Sequence, residues 1–239
     1  MIPYLKREYR SIEGKNTYEQ TIILFKLLEP YLHETIRTWI FIKDIDNTYN
    51  EMVEARNNIF DKHKHLFKNH SISSTGVGKS DYEFYPGEFI HLDALIVPGL
   101  KRTNLSYMSN IDIFPNTTKY GVRFERGTIY KTKKCSYFIV SGTASIDKNG
   151  DIKHPNNIKK QTYHAIDNMD KLLFKYGENI NHANEIIGYV RNLNDIKIVK
   201  SICNNIFPNI KWIIKESKIC RPGWLVEFET IIKSNKERL

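Results

Sequence analysis

The stretch Ile158-Lys-Lys-Gln-Thr162-Tyr-His-Ala165-Ile166-Asp-Asn-Met169-Asp-Lys-Leu172-Leu173-Phe-Lys-Tyr-Gly177 decides the fold. Its small and apolar positions recur at the spacing of one helix face. The pattern predicts a helix over about 156–176, closed by Gly177 as a C-terminal cap. Strands near 127–132 and 135–142 precede it; a strand at 185–191, a helix at 194–206 and strands at 210–217 and 223–232 follow. The first half repeats the order. A helix over about 17–33 carries Tyr18, Ile22, Phe25 and Leu28 on one face, and a strand follows at 35–43. Asp46 or Asn47 then caps a helix over about 47–66 with Tyr49, Met52, Val53, Ile59 and Phe60 in its stripe. Extended segments close the half near 71–78 and 88–97. Helix, strand, helix, strand, strand thus occurs twice, and only the second copy has an opening hairpin. The expectation is a duplicated α+β chain with a shortened first unit, helices packed on one face of a mixed β-sheet. Its units are residues 1–119 and 120–239.

Composition narrows the function. The chain has 239 residues, 41% hydrophobic and 12% aromatic, enough for one large domain or two small ones. No apolar run approaches the roughly 20 residues that span a bilayer, and the N-terminal residues lack the hydrophobic region of a signal peptide. The three cysteines, Cys135, Cys203 and Cys220, are widely spaced and form no CxxC, which indicates neither a disulfide framework nor a zinc site. Location in the cytoplasm is the default. The formal charge of +9 favours anionic partners, but its lysines are scattered rather than set in a stripe with aromatics. The expected partner is a small anionic molecule, with no nucleic acid and no membrane.

Near the C-terminus, Cys220-Arg221-Pro-Gly-Trp-Leu225-Val-Glu227-Phe-Glu229 alternates apolar and polar residues, as a half-buried strand does. Glu227 then points away from the face of Val226 and Phe228. If that face lines a pocket, burial raises the carboxyl pKa and lets it hold a proton. Arg221 is placed to anchor an anion beside it, although the pair equally reads as a surface salt bridge. Arg56 falls in the apolar stripe of its helix, where a charge needs a partner. That partner is an internal carboxylate such as Glu34 or Asp93, or a carboxylate of the substrate. Tyr120-Gly121-Val122-Arg123-Phe124-Glu125-Arg126-Gly127 sets two arginines beside glycines, as an anion loop or as surface charge. Ser73–Ser80 ends in Gly-Lys-Ser like a phosphate loop, but lacks the first glycine and the following helix; it reads as a glycine-rich turn. His63, His65 and His70 read as a solvated helix end. Cys220 is either a small buried residue or a reactive thiol.

Several of these segments, in order, resemble the chorismatase family, whose members are similar to a fused pair of Rid-type domains of the YjgF superfamily. They are Arg37-Thr38-Trp39, Tyr49 to Asn57 ending in Glu54-Ala55-Arg56-Asn57, Ser74-Thr75-Gly76-Val77-Gly78 and the 120–126 loop. Ser141-Gly142-Thr143-Ala144-Ser145-Ile146, His154, Gln161, Asn168, Cys220-Arg221 and Leu225–Glu229 complete the set, so the resemblance spans about 35–232. It implies two Rid-like (chorismate-mutase-like) units, the first truncated, with a homo-oligomer able to complete that shortened unit. It also implies cleavage of the enolpyruvyl ether of chorismate with release of pyruvate, giving a dihydrodiol or a hydroxybenzoate. Glu227 and Cys220 would be catalytic. Arg56, Arg126, Arg221, Tyr107 and Ala144 would bind substrate, and neither cofactor nor metal is required. The Rid-type imine deaminases place a carboxylate-binding arginine where this chain has Trp212. Deamination and non-catalytic binding of a small anion are the competing functions.

Overall fold

The structure, a computed structural model, describes residues 4–67, 69–117 and 121–235. In chain order its named strands and helices are β1 (Leu5–Tyr9), α1 (Thr17–Leu28), β2 (Thr35–Ile42), α2 (Ile45–Lys62), the short α3 (Lys64–Phe67), β3 (Ser73–Gly78), β4 (Ile90–Ile96) and β5 (Leu105–Met108). Then come β6 (Gly127–Lys131), β7 (Cys135–Ala144), α4 (Ile158–Phe174), β8 (Glu185–Val190), α5 (Ile196–Ile206), β9 (Lys211–Glu216) and β10 (Val226–Asn235).

Two mixed sheets form, in the orders β1-β4-β2-β3 and β5-β6-β7-β10-β8-β9. The run β7-β10-β8-β9 repeats β1-β4-β2-β3, including one parallel pair, β2 with β3 and β8 with β9. The duplication read from periodicity is present. The first unit keeps one strand of the opening hairpin expected to be missing, because β1 holds the place that β7 holds in the second. Leu5-Lys-Arg-Glu-Tyr9 is mostly exposed and carries no apolar alternation, so its pattern did not signal a strand. β5, on the N-terminal side of the expected unit boundary, pairs with β6 and widens the second sheet. That boundary, and Tyr120, lie outside the described residues.

Local chemistry explains the other shifts. α1 ends at Leu28 and continues as a 3-10 turn over Glu29–Glu34, since Pro30 has no N–H to extend the α-helix. Asp44, rather than Asp46 or Asn47, occupies the N-cap of α2 in a left-handed conformation (φ 51°), and its carboxylate accepts from the Asn47 side chain. Asp46 turns outward to Arg191 at 2.9 Å and Lys218 at 3.1 Å. The glycine-rich Ser73–Gly78 is a buried strand rather than a turn. Gly177 adopts φ +76°, as a C-terminal cap requires.

Each sheet has a helix-covered face. Ile40, Ile42, Leu92 and Ala94 pack with residues of α1 and α2, and Val226, Phe228 and Ile186 pack with residues of α4 and α5. The other faces partly oppose one another, with β3 against β7. β10 is therefore buried on both sides along Val226–Thr230, whereas its alternation had suggested one wet face. Phe228 is fully buried against Gly188, where an added Cβ would lie 2.8 Å from the ring. We expect Phe228→Ala to cost about 3–5 kcal/mol, read from the midpoint shift in chemical denaturation.

Candidate active site

The register of β10 against β7 sets Glu227 opposite Ala144. Glu227 and Glu229, two residues apart, share the face turned toward the first unit. Their surroundings differ. Glu229, 2% exposed, accepts from Arg37 and Thr75 through one oxygen, and from Trp39 Nε1 (2.7 Å) and the Tyr189 hydroxyl (2.9 Å) through the other. Glu227, 6% exposed, makes no hydrogen bond or ion pair with the described residues and looks into a cavity of about 60 Å³. Burial, reinforced by the charge of Glu229, pushes its carboxyl up to about 8, against the pull of Arg37 and Arg126. At neutral pH this acid carries its proton.

Gly142 makes room for that carboxyl. A Cβ there would overlap a Glu227 oxygen and stand 2.6 Å from Cδ. Its N–H donates to Thr75 Oγ1 (2.9 Å), the hydroxyl that also reaches Glu229. A glycine inside a fully buried strand was the available sequence signal for this close approach.

Around the carboxyl stand Tyr49, Arg56, Ser74, Gly76, Val122, Phe124, Arg126, Ala144, Cys220, Arg221 and Trp224. Arg56, 3% exposed, has neither Glu34 nor Asp93 as partner: Glu34 accepts from Gly99 N, and Asp93 pairs with Lys6. Its Nε and Nη2 find no hydrogen-bond acceptor among the described residues. Burial lowers its pKa, and Arg123 adds to the effect. Arg126 is buried with its guanidinium 4.8 Å from the Phe114 ring centroid and 5.0 Å from that of Phe124. Arg221, half-buried, donates to the Gly150 carbonyl (3.2 Å) and lies 5.0 Å from the Trp224 ring centroid. The Glu227–Arg221 surface salt bridge is therefore not formed.

Of the two readings of Cys220 the structure favours the small buried residue, and it sets Tyr107 apart from the other expected site residues. Burial, and then the Glu227 carboxyl, push the Cys220 thiol up to about 12, so it is a neutral group in the cavity wall beside Tyr49 and not a reactive thiolate. Tyr107 does not reach the cavity. It sits in β5 with its ring stacked 3.9 Å from that of His70 and its hydroxyl accepting from Arg102. Sequence reading named Tyr49 in the apolar stripe and in the resembling segment but gave it no role at the site, and it left out the Arg37–Glu229 contact between residues 192 positions apart.

Other groups lie outside this cavity. Glu8, His91 and Asp93 bring potential metal ligands within 4.8 Å of one another, but Arg10 pairs with Glu8, Lys6 with Asp93, and Lys79 contacts His91 Nε2. His63 lies 2.8 Å from Glu29 and His70 3.4 Å from Glu125. Gln161 accepts from Leu225 N and donates to the His154 and Gly223 carbonyls, and Asn168 donates to those of Ala144 and Ile146; both fasten the loops around β10. Among the described residues, no helix is long and apolar enough to cross a membrane.

Comparison with known proteins agrees with this architecture. Residues 130–233 match the family model described as Endoribonuclease L-PSP. A chorismatase crystal structure at 1.08 Å resolution superposes with a TM-score of 0.80, at 20% identity, over 97% of this chain and 75% of that one. The Rid-family protein YyfA from Yersinia pestis gives 0.46 at 20% identity, over 54% of this chain and 98% of its own. RidA from the Antarctic bacterium Psychrobacter sp. gives 0.43 at 13%, over 53% and 98%. No curated protein sequence matches the chain. The chain has the two-unit α+β fold of that chorismatase, and its second unit carries the family-model match.

Gly142→Ala tests the fit at the acid. The new methyl is expected to displace the Glu227 carboxyl and lower stability by about 1–3 kcal/mol. A variant with unchanged denaturation midpoint and unchanged Glu227 titration would contradict the placement of that carboxyl.

Proposed function

We propose that this chain is a chorismatase-like enzyme that protonates the enolpyruvyl ether of chorismate and releases pyruvate. The observation that carries the reading is the buried carboxyl of Glu227, without a hydrogen bond among the described residues, in one cavity with Arg56, whose Nε and Nη2 find no acceptor among them. A neutral acid facing an unsatisfied cation suits proton donation to an anion.

In this reading Glu227 gives its proton to the terminal methylene carbon of the enol ether. The adjacent ether carbon becomes oxocarbenium-like. In hydrolysis, water adds there and returns a proton to Glu227, and the hemiketal collapses to pyruvate and the ring alcohol. In the rearranging branch the neighbouring ring hydroxyl attacks that carbon and its proton returns to Glu227. The cyclic ketal then opens as the ring loses one proton and one ring C–O bond to become aromatic, and the resulting hemiketal collapses to pyruvate and the hydroxybenzoate. Arg56 holds a substrate carboxylate, with Arg126 and Arg221 at the edge toward the second one. Ala144 leaves space where the ring approaches. Cys220, a neutral thiol, contributes shape and a weak hydrogen bond next to the acid rather than a nucleophile.

Size adds a constraint. The cavity of about 60 Å³ is far below the ~300 Å³ of an ordinary small-molecule site. A larger hollow of about 610 Å³, with Lys64, His70 and Arg123 in its wall, shares Phe124 and Arg126 with it. The substrate would present its enol ether to the inner cavity while its remaining bulk extends past those two residues.

Incubation of the pure protein with chorismate, with pyruvate read through lactate dehydrogenase, tests the activity. Glu227→Gln is expected to abolish pyruvate release and leave substrate binding largely intact; a variant with full turnover removes Glu227 as the acid. Since the protonated form is the active one, kcat/KM should fall as pH rises through about 8. Linkage gives the same sign for stability. A carboxyl whose pKa is raised on folding stabilises the fold most below its unfolded pKa, and that contribution is lost as pH climbs through about 8. The wild-type protein should lose this increment between those limits, and Glu227→Gln should not.

Arg56→Met is expected to raise KM by roughly 10- to 100-fold, the value of one charge-assisted hydrogen bond. It should leave stability unchanged or higher, because no buried carboxylate is orphaned. Unaltered kinetics with a strongly destabilised fold would make Arg56 structural. A protein that binds chorismate without turning it over would be a small-anion binder.

A further inference from the structure

We propose that Glu229 is a positioning residue for Glu227: held in place by Arg37, Thr75, Trp39 and Tyr189, its fixed charge keeps the neighbouring acid in the proton-bearing form. This rests on the reading of Glu227 as the acid and identifies what sets that acid's state.

The geometry begins with β10. Two residues apart on one strand face, Glu227 and Glu229 have Cα atoms roughly 7 Å apart, within one screening length even in salt solution. Both are buried, so little solvent intervenes. Two buried carboxyls this close cannot both ionise freely, and the one with better donors takes the charge. All four donor contacts go to Glu229, and the described residues offer none to Glu227. The assignment of charge therefore follows from the hydrogen-bond pattern as well as from burial.

Other groups face Glu227 from each packed element. α2 contributes Tyr49 and Arg56, the segment before β6 contributes Arg126, and the loop before β10 contributes Cys220 and Arg221. β2 and β8 contribute Arg37 and Tyr189 behind the pair. Arg37 and Arg126 oppose the effect of Glu229, but Arg37 is committed to the Glu229 carboxylate. Arg37, Trp39 and Thr75 belong to the first unit and Glu229 to the second. The protonation of the acid is thus tied to the docking of one unit on the other.

Glu229→Gln keeps an oxygen acceptor for Trp39 and Tyr189 and removes the charge. With Arg37 left cationic, Glu227 should release its proton more readily. The alkaline limb of kcat/KM should then move to lower pH by about one unit. Arg37→Met combined with Glu229→Gln removes both charges and should return the limb most of the way. It also provides the folded variant if Glu229→Gln alone fails to fold. A purely structural Glu229 would alter the denaturation midpoint and leave the limb in place, which overturns the proposal.

The infrared carbonyl band of a protonated carboxyl, assigned by difference from Glu227→Gln, follows the acid without substrate. Loss of that band at lower pH in Glu229→Gln supports the proposal, and an unmoved titration in the folded variant overturns it. If the parent protein shows no such band at neutral pH, the acid assignment itself fails. The two failures are therefore distinguishable.

Discussion

The structure around the acid depends on the buried pairing of Arg37 with Glu229. Arg37 is 1% exposed and lies in the first sheet; Glu229 lies in the second. Bringing two such ions out of water costs several kcal/mol each unless attraction and additional hydrogen bonds offset it. Thr75, Trp39 and Tyr189 supply those bonds around the carboxylate. The pair therefore contributes less to net stability than to the way the units fit: a shift between the sheets would leave a bare charge inside. The same contact holds Glu229 on one side of Glu227, and the cavity lies on the other.

Strand β10 joins these features because both of its faces are covered. Val226 and Phe228 bind the helices of their own unit, while Glu227 and Glu229 meet the other unit. The Glu227 carboxyl on this face is buried and opens onto the cavity. Gly142 leaves room for it against β7, and burial raises its pKa where the described residues offer it no donor. Arg56 is complementary: a buried cation with no acid partner among the described residues. Each is costly alone, and an anionic ligand that also accepts a proton relieves both.

The helices, most strands and the duplication are legible in the sequence because they follow from local periodicity. Gly177 and Pro30 mark helix ends through backbone geometry alone. β1 was not legible, since its residues are exposed and charged and gain strand structure only by pairing with β4. Glu227, Arg56, Arg126, Arg221, Ala144 and Cys220 were read from the chain and are brought around one cavity. Tyr107 was read with them and is placed elsewhere, held by Arg102 and His70.

The sequence by itself determined the repeated α+β pattern and the presence of an acid, several guanidinium groups and a small residue in suggestive order. It did so because side-chain period and turn chemistry act over a few neighbouring residues. Only the tertiary structure decided that four donors surround Glu229 while Glu227 has none among the described residues, that Arg56 Nε and Nη2 find no acceptor among them, and that Gly142 must be bare. Those properties arise from contacts between residues far apart in the chain, and burial gives them their magnitude.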